Sequence, residues 1–171
     1  MSSDAYIRST IDPDTRKAAC LLRWGPIEAL ITPENTLATA RDLMAAAAHA
    51  DTDIALLAWC RKQLKADPNT AGHMVLDIRA LRTAPTGPGH SALRIESVAG
   101  AKTGKPYVNI ARGSMKAQLD PDEAREMAGH WIQVAVAAQI DVRLRYALGD
   151  QPGLTADDIE QIFERLLAVQ R

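Results

Sequence analysis

Phenylalanine occurs once in this chain of 171 residues, and aromatic residues make up 4% of it. A core built on packed rings is therefore excluded, and so is a row of stacking platforms for bases. Cysteine occurs twice, as Cys20 and Cys60, without CxxC spacing or clustered histidines. That leaves no disulfide framework and no zinc-ligand pattern, and both thiols are expected to be reduced and buried. Charge of one sign is lacking as well. Twenty basic residues face 21 acidic ones, for a net charge of −1, which predicts no global pull on nucleic acid or on an anionic membrane. Charges interrupt the longest apolar stretches, so no transmembrane helix is expected. Residues 1–17 are polar and lack the apolar centre of a signal peptide, which leaves a cytoplasmic protein as the expectation.

What is present is small and aliphatic. Hydrophobic residues reach 47%, mostly Ala, Leu, Ile and Val. Small side chains let helices approach closely but bury little area each, so a second subunit is a natural source of further burial. Abundant alanine and an excess of arginine over lysine are the composition of a GC-rich coding sequence, as in many bacteria and their phages.

The chain also carries an internal likeness. Trp24-Gly25-Pro26-Ile27 through Pro33-Glu34 and Arg112-Gly113-Ser114-Met115 through Pro121-Asp122 share a turn, an alternating run, a cap and a helix-starting proline. The offset is constant at 88 residues, from Gly25 to Gly113. A β-hairpin followed by a long helix, used twice, is the expected unit.

The local signals fill in this outline. Residues 1–17 are expected to form a flexible arm, and 18–171 a single α+β domain of two related halves, 18–83 and 90–171. Ala18–Trp24 and Ile27–Ile31 alternate as strands. Thr32 and Pro33 start a helix, which Asp51-Thr52-Asp53 kinks or divides and Asp67-Pro68 ends. Met74–Arg82 alternates and is expected as a strand, with Ser91–Val98, Lys105–Ala111 and Ser114–Leu119 as the others. Asp120, Pro121 and Glu123 spell a capping box for a helix reaching about Leu148, and Thr155 caps a last helix. The expected fold is an antiparallel sheet built from hairpins, with long Ala-rich helices packed on one face.

Reactive patterns are weak. Gly100–Lys105 lacks the spacing of a phosphate loop and leads into a strand rather than a helix. The carboxylates at Asp120–Glu126 and Asp157–Glu160 belong to first helical turns, where the dipole favours them without a metal. His49 and His130 read as helix-surface or packing residues. His90, with Arg94 and Asp77, is the place where an enzyme site would have to assemble. Arg79, Arg94, Lys102, Lys105, Arg112 and Lys116 are the candidate surface for nucleic acid or a partner, on the polar face of the sheet and its turns. Ile159, Ile162, Phe163 and Leu166 form the apolar stripe of the last helix, a candidate for docking a partner. The expectation is a non-enzymatic interaction or regulatory protein without cofactor or metal. Its partners are itself, as a homodimer, and another protein. A nucleic-acid-binding accessory protein is the first alternative, and an enzyme with an unrecognised site the second.

Overall fold

The computed structural model describes residues 5–100 and 103–169. In chain order the elements are β1 (Tyr6–Ile11), β2 (Ala18–Trp24), β3 (Ile27–Ile31), α1 (Pro33–Gln63) and α2 (Pro68–Ala80), then β4 (Arg94–Ala99), β5 (Pro106–Arg112), β6 (Met115–Leu119), α3 (Pro121–Gly149) and α4 (Ala156–Val169). The order is three strands and two helices, twice over. The strands form two antiparallel sheets, β1-β2-β3 and β4-β5-β6. The α+β class with antiparallel hairpins therefore holds, with two small sheets in place of one.

Each boundary has a local cause. The turns of the β2–β3 and β5–β6 hairpins hold Gly25 at φ +56° and Gly113 at φ +55°, a region that costs glycine no Cβ clash. Three of the helices begin on a polar cap followed by proline. The side chain of Thr32 accepts the Asn35 N–H, and that of Asp67 accepts those of Asn69 and Thr70. Asp120 accepts from Asp122 and Glu123 while Glu123 accepts from the Asp120 N–H, which completes the capping box. Thr155 and Asp158 form the same reciprocal pair at the start of α4.

Four expectations are corrected. Met74–Ala80 belongs to helix α2, with Leu81 as its cap and Arg82 just past it, because Asp67-Pro68 starts a helix as Thr32-Pro33 does. The apparent alternation was incidental: Ala71 and Val75, four apart, are the buried positions. Asp67-Pro68 thus opens a second helix, and α1 ends at Gln63 ahead of it. The Asp51-Thr52-Asp53 segment does not break α1, which runs unbroken for 31 residues; the Thr52 hydroxyl donates back to the Ala48 carbonyl. Residues 6–11, placed in the flexible arm, form β1 and pair with β2 from Tyr6 opposite Arg23 to Ile11 opposite Ala18. Ile7 explains this: it is 1% exposed, so the strand is held by the core.

The helices cross over the halves. α1 packs chiefly on β4 and β5, α3 chiefly on β1 and β2, and the two helices pack most extensively on each other. One contiguous core results, drawing Leu22, Trp24, Leu43 and Ala47 from the first half and Ile110, Trp131 and Ala135 from the second. Alanine is the commonest buried residue of α1 and of α3, which permits close approach of the helix backbones. The buried positions of α3 are Pro121, Ala124, Ala128, Trp131, Val134, Ala135 and Ala138. At the 88-residue offset each has a buried counterpart in α1: Pro33, Thr36, Ala40, Leu43, Ala46, Ala47 and Ala50. The hairpin turns meet reciprocally. A Cβ on Gly25 would lie 2.8 Å from the Met115 methyl, and one on Gly113 would lie 3.3 Å from Ile27 Cδ1. Ile27 and Met115 stand at the same offset.

Candidate functional site

The most unusual side chain in the core is an acid. Asp53 is fully buried on the apolar face of α1, one turn beyond Ala50. An isolated carboxylate there would be costly. Two guanidinium groups offset that cost: Arg79 of α2 donates from Nε to Asp53 Oδ2 at 2.6 Å, and Arg82, just past α2, donates from Nη2 to Oδ1 at 2.5 Å. The cluster thereby pins α2 to α1 and keeps one excess positive charge. His49 lies one turn earlier on α1, and its pKa is lowered from the ordinary histidine value by burial, then by Arg82, against the opposing pull of Asp53.

This cluster borders a groove of about 660 Å³. Asp42, Ala45, Ala46 and His49 of α1 form the floor; Leu93 and the β4 residues Ile95–Val98 form one wall; Arg79 and Pro85 close the other side. The segment leading to β4 is fixed by the first turns of α1. Asn35 Oδ1 accepts the His90 N–H at 2.8 Å, and Thr39 Oγ1 accepts the Ala92 N–H at 2.7 Å. Thr39 can do this while buried because its hydroxyl also donates to the Asn35 carbonyl.

The outer face of the second sheet carries a separate, smaller cavity of about 460 Å³, lined by Arg94, Glu96, Asn109, Lys116 and Gln118 among others. Of the six cations expected to share a surface, Arg94 and Lys116 meet here. Arg94 is held by Glu96 at 2.5 Å. Lys105 is exposed beside the β4–β5 turn. Arg112 is drawn inward and donates to the Ala92 carbonyl. Arg79 belongs to helix α2 and is committed to Asp53, so its placement on the sheet face is corrected. Lys102 lies outside the described residues. The enzyme grouping does not assemble on one element: His90 is tied to α1, Asp77 is exposed on α2, and Arg94 faces outward from β4. Burial raises the Cys20 thiol pKa, which makes it a poor nucleophile.

The third feature is an apolar ridge on α3. Ile132, Val136, Ile140 and Leu144 recur every fourth residue and are each exposed, Ile140 to 54%. On α1, Met44 is also exposed. The stripe expected to dock a partner on α4 is used differently: Ile159 and Phe163 are buried, and the Arg145 guanidinium of α3 sits 4.0 Å from the Phe163 ring centre. Ile162 is half-buried and Leu166 exposed. Among the described residues no helix is long and apolar enough to cross a membrane.

Asp53, His49 and Asp42 were not singled out from sequence as site residues. The available signal was Asp53 itself, an acid placed three and seven residues after Ala50 and Ala46 on the stripe that must be buried. No protein-family model, curated protein or solved structure matches the chain.

Proposed function

We propose that the chain is a non-enzymatic interaction protein that works as a homodimer, its copies meeting through the outer face of α3. The observation that carries this reading is the ridge Ile132, Val136, Ile140 and Leu144, open to solvent on a helix whose opposite face is already filled by the chain's own core. Residues four apart form a continuous ridge, and a ridge of this kind packs into the groove beside the same ridge on a second helix. Half-buried Gly129, one turn before the ridge, and Ala137, within it, are small and leave room for that approach. A second copy is the occupant that needs no other chemistry, since a two-fold contact brings one patch against itself. Duplication of a βββαα unit belongs to the same reading, supported by the matched burial of α1 and α3.

Sedimentation equilibrium over a concentration series tests it. The chain should sediment as a dimer, and Ile140→Glu should convert it to a monomer with an unchanged circular-dichroism spectrum. A monomer at every concentration would overturn the reading.

The second reading, a nucleic-acid-binding accessory protein, draws on the outer sheet cavity, where Arg94 and Lys116 stand with the amide side chains of Asn109 and Gln118. Phosphate contacts use such groups. Binding to single-stranded DNA or RNA that weakens with salt and with Lys116→Glu supports it; no binding at low salt removes it.

A further inference from the structure

The edge of β4 lies beside the groove between α1 and the segment around Pro85, and among the described residues no strand pairs with it on that side. Sheet order gives β4 one neighbour, β5. The hydrogen-bonding phase follows from the turn. Gly100 N–H donates to the Lys105 carbonyl at 2.9 Å, which makes that pair a bonded one. Antiparallel pairs alternate, so Val98–Tyr107, Glu96–Asn109 and Arg94–Ala111 are bonded, while Ser97–Val108 and Ile95–Ile110 are not. Pro106, which has no N–H, sits opposite Ala99 in the non-bonded phase, as this register requires. The N–H and C=O groups of Ile95 and Ser97 therefore point away from β5, and both residues line the groove.

Pro85 and Arg79 line the same groove as these groups, so a partner that pairs with them lies between β4 and α2. The side chains available to such a partner are also defined. Ala45, Ala46, Leu93 and Ile95 offer an apolar floor and wall. The carboxylates that line the groove are balanced: Asp42 by Arg41 Nε at 3.2 Å, and Glu96 by Arg94. At the α2 side the balance is positive, because one Asp53 carboxylate serves two arginines. Arg79 uses Nε for Asp53, and its terminal nitrogens have no partner among the described hydrogen bonds.

We propose that this groove binds an extended segment of another polypeptide as a fourth strand on β4, with an acidic side chain of that segment received by Arg79. Main-chain bonds to Ile95 and Ser97 supply the pairing, and the excess charge at Arg79 supplies the preference. The site extends the interaction reading and does not depend on self-association, since the ridge on α3 is a different surface.

The test is an amide chemical-shift titration of the full chain with a blocked octapeptide that alternates valine and threonine around one central glutamate. The Ile95 and Ser97 amides should shift and gain protection from hydrogen exchange. Replacing the glutamate by lysine should weaken binding by about tenfold or more. Ser97→Pro removes the outward N–H at a position where an edge strand tolerates proline, and it should abolish binding while leaving the β5 and β6 shifts in place. Ala45→Phe, which fills the floor without touching the strand backbone, should do the same and guards against loss of fold in the proline variant. Unmoved Ile95 and Ser97 amides at millimolar peptide would overturn the proposal, as would equal binding of the glutamate and lysine peptides or shifts confined to the outer face around Arg94 and Lys116. A chain that remains dimeric yet ignores the peptide would leave the homodimer standing and remove this site alone.

Discussion

Asp53 and Arg79, 26 residues apart in sequence, form a 2.6 Å ion pair in which the acid has no solvent exposure and the base is 28% exposed. This contact, doubled by Arg82, explains why α2 stands where it does. Removing one member of a buried pair leaves the other uncompensated, at a cost of about 3 kcal/mol or more. Asp53→Asn should lower the urea midpoint accordingly, with the earliest loss of amide protection in α2. Pairing it with Arg79→Gln should restore part of the loss, so that the double variant is less destabilised than the two single effects added together.

Stability should also depend on pH through His49. Its folded pKa is below the ordinary value of 6.5, first through burial and then through Arg82. The folded state therefore binds fewer protons than the unfolded state just below that value. The sign follows from linkage: this contribution is fully present above 6.5 and is lost as pH falls from there towards the folded pKa. The depressed Asp12, Asp67 and Asp158 act in the same direction at lower pH, below their ordinary 3.8. His49→Gln should flatten the upper part of the curve and leave the acidic part intact, as read by urea unfolding at a series of pH values.

Gly25 should tolerate a side chain less well than another glycine at positive φ. Gly25 combines positive φ with a Cβ position 2.8 Å from Met115, whereas Gly104 has positive φ and, among the described residues, nothing within 4 Å of that position. Gly104→Ala should cost about 1 kcal/mol from backbone strain, and Gly25→Ala more than that, because Met115 must also move. Thermal unfolding of the two variants side by side checks the order.

α4 rests on α3 through a short list of contacts, among them Ile159, Phe163 and the guanidinium of Arg145. Phe163→Ala removes both the buried ring and the cation–π partner. Because α4 is terminal, the expected outcome is local. Hydrogen exchange should quicken across 156–169 while the core around Trp131 stays protected.

The strands and helix starts that were legible in sequence are those with local causes. Glycine at the turns, Thr32-Pro33, Asp120-Pro121-Glu123 and the alternation of Leu22 or Ile110 each fix their own neighbourhood. Met74–Arg82 alternates in sequence, but the Asp67-Pro68 cap starts a helix ahead of it and local capping outweighs the alternation. β1 was hidden because its single anchor, Ile7, sits among polar residues and is buried by α3 from the other half of the crossed arrangement. The groove was not legible for a related reason. It joins α1, α2 and β4, and only tertiary packing brings His49, Arg79 and Ser97 together. The core stripe of α3 was legible from Met127, Trp131, Ala135, Ala138 and Val142, of which Trp131, Ala135 and Ala138 are buried, whereas the second stripe, Ile132, Val136, Ile140 and Leu144, stands exposed.

The most direct measurement of self-association uses Val136→Cys, in a chain whose own Cys20 and Cys60 are buried. A short bifunctional maleimide is added to the folded protein, and the covalent product is weighed. A ridge that packs against its own copy brings the two introduced thiols together, so the predicted result is a linked pair of twice 18.5 kDa, with little product from a Lys105→Cys control. Unlinked single chains from Val136→Cys, or equal linkage from both variants, would contradict a dimer built on α3.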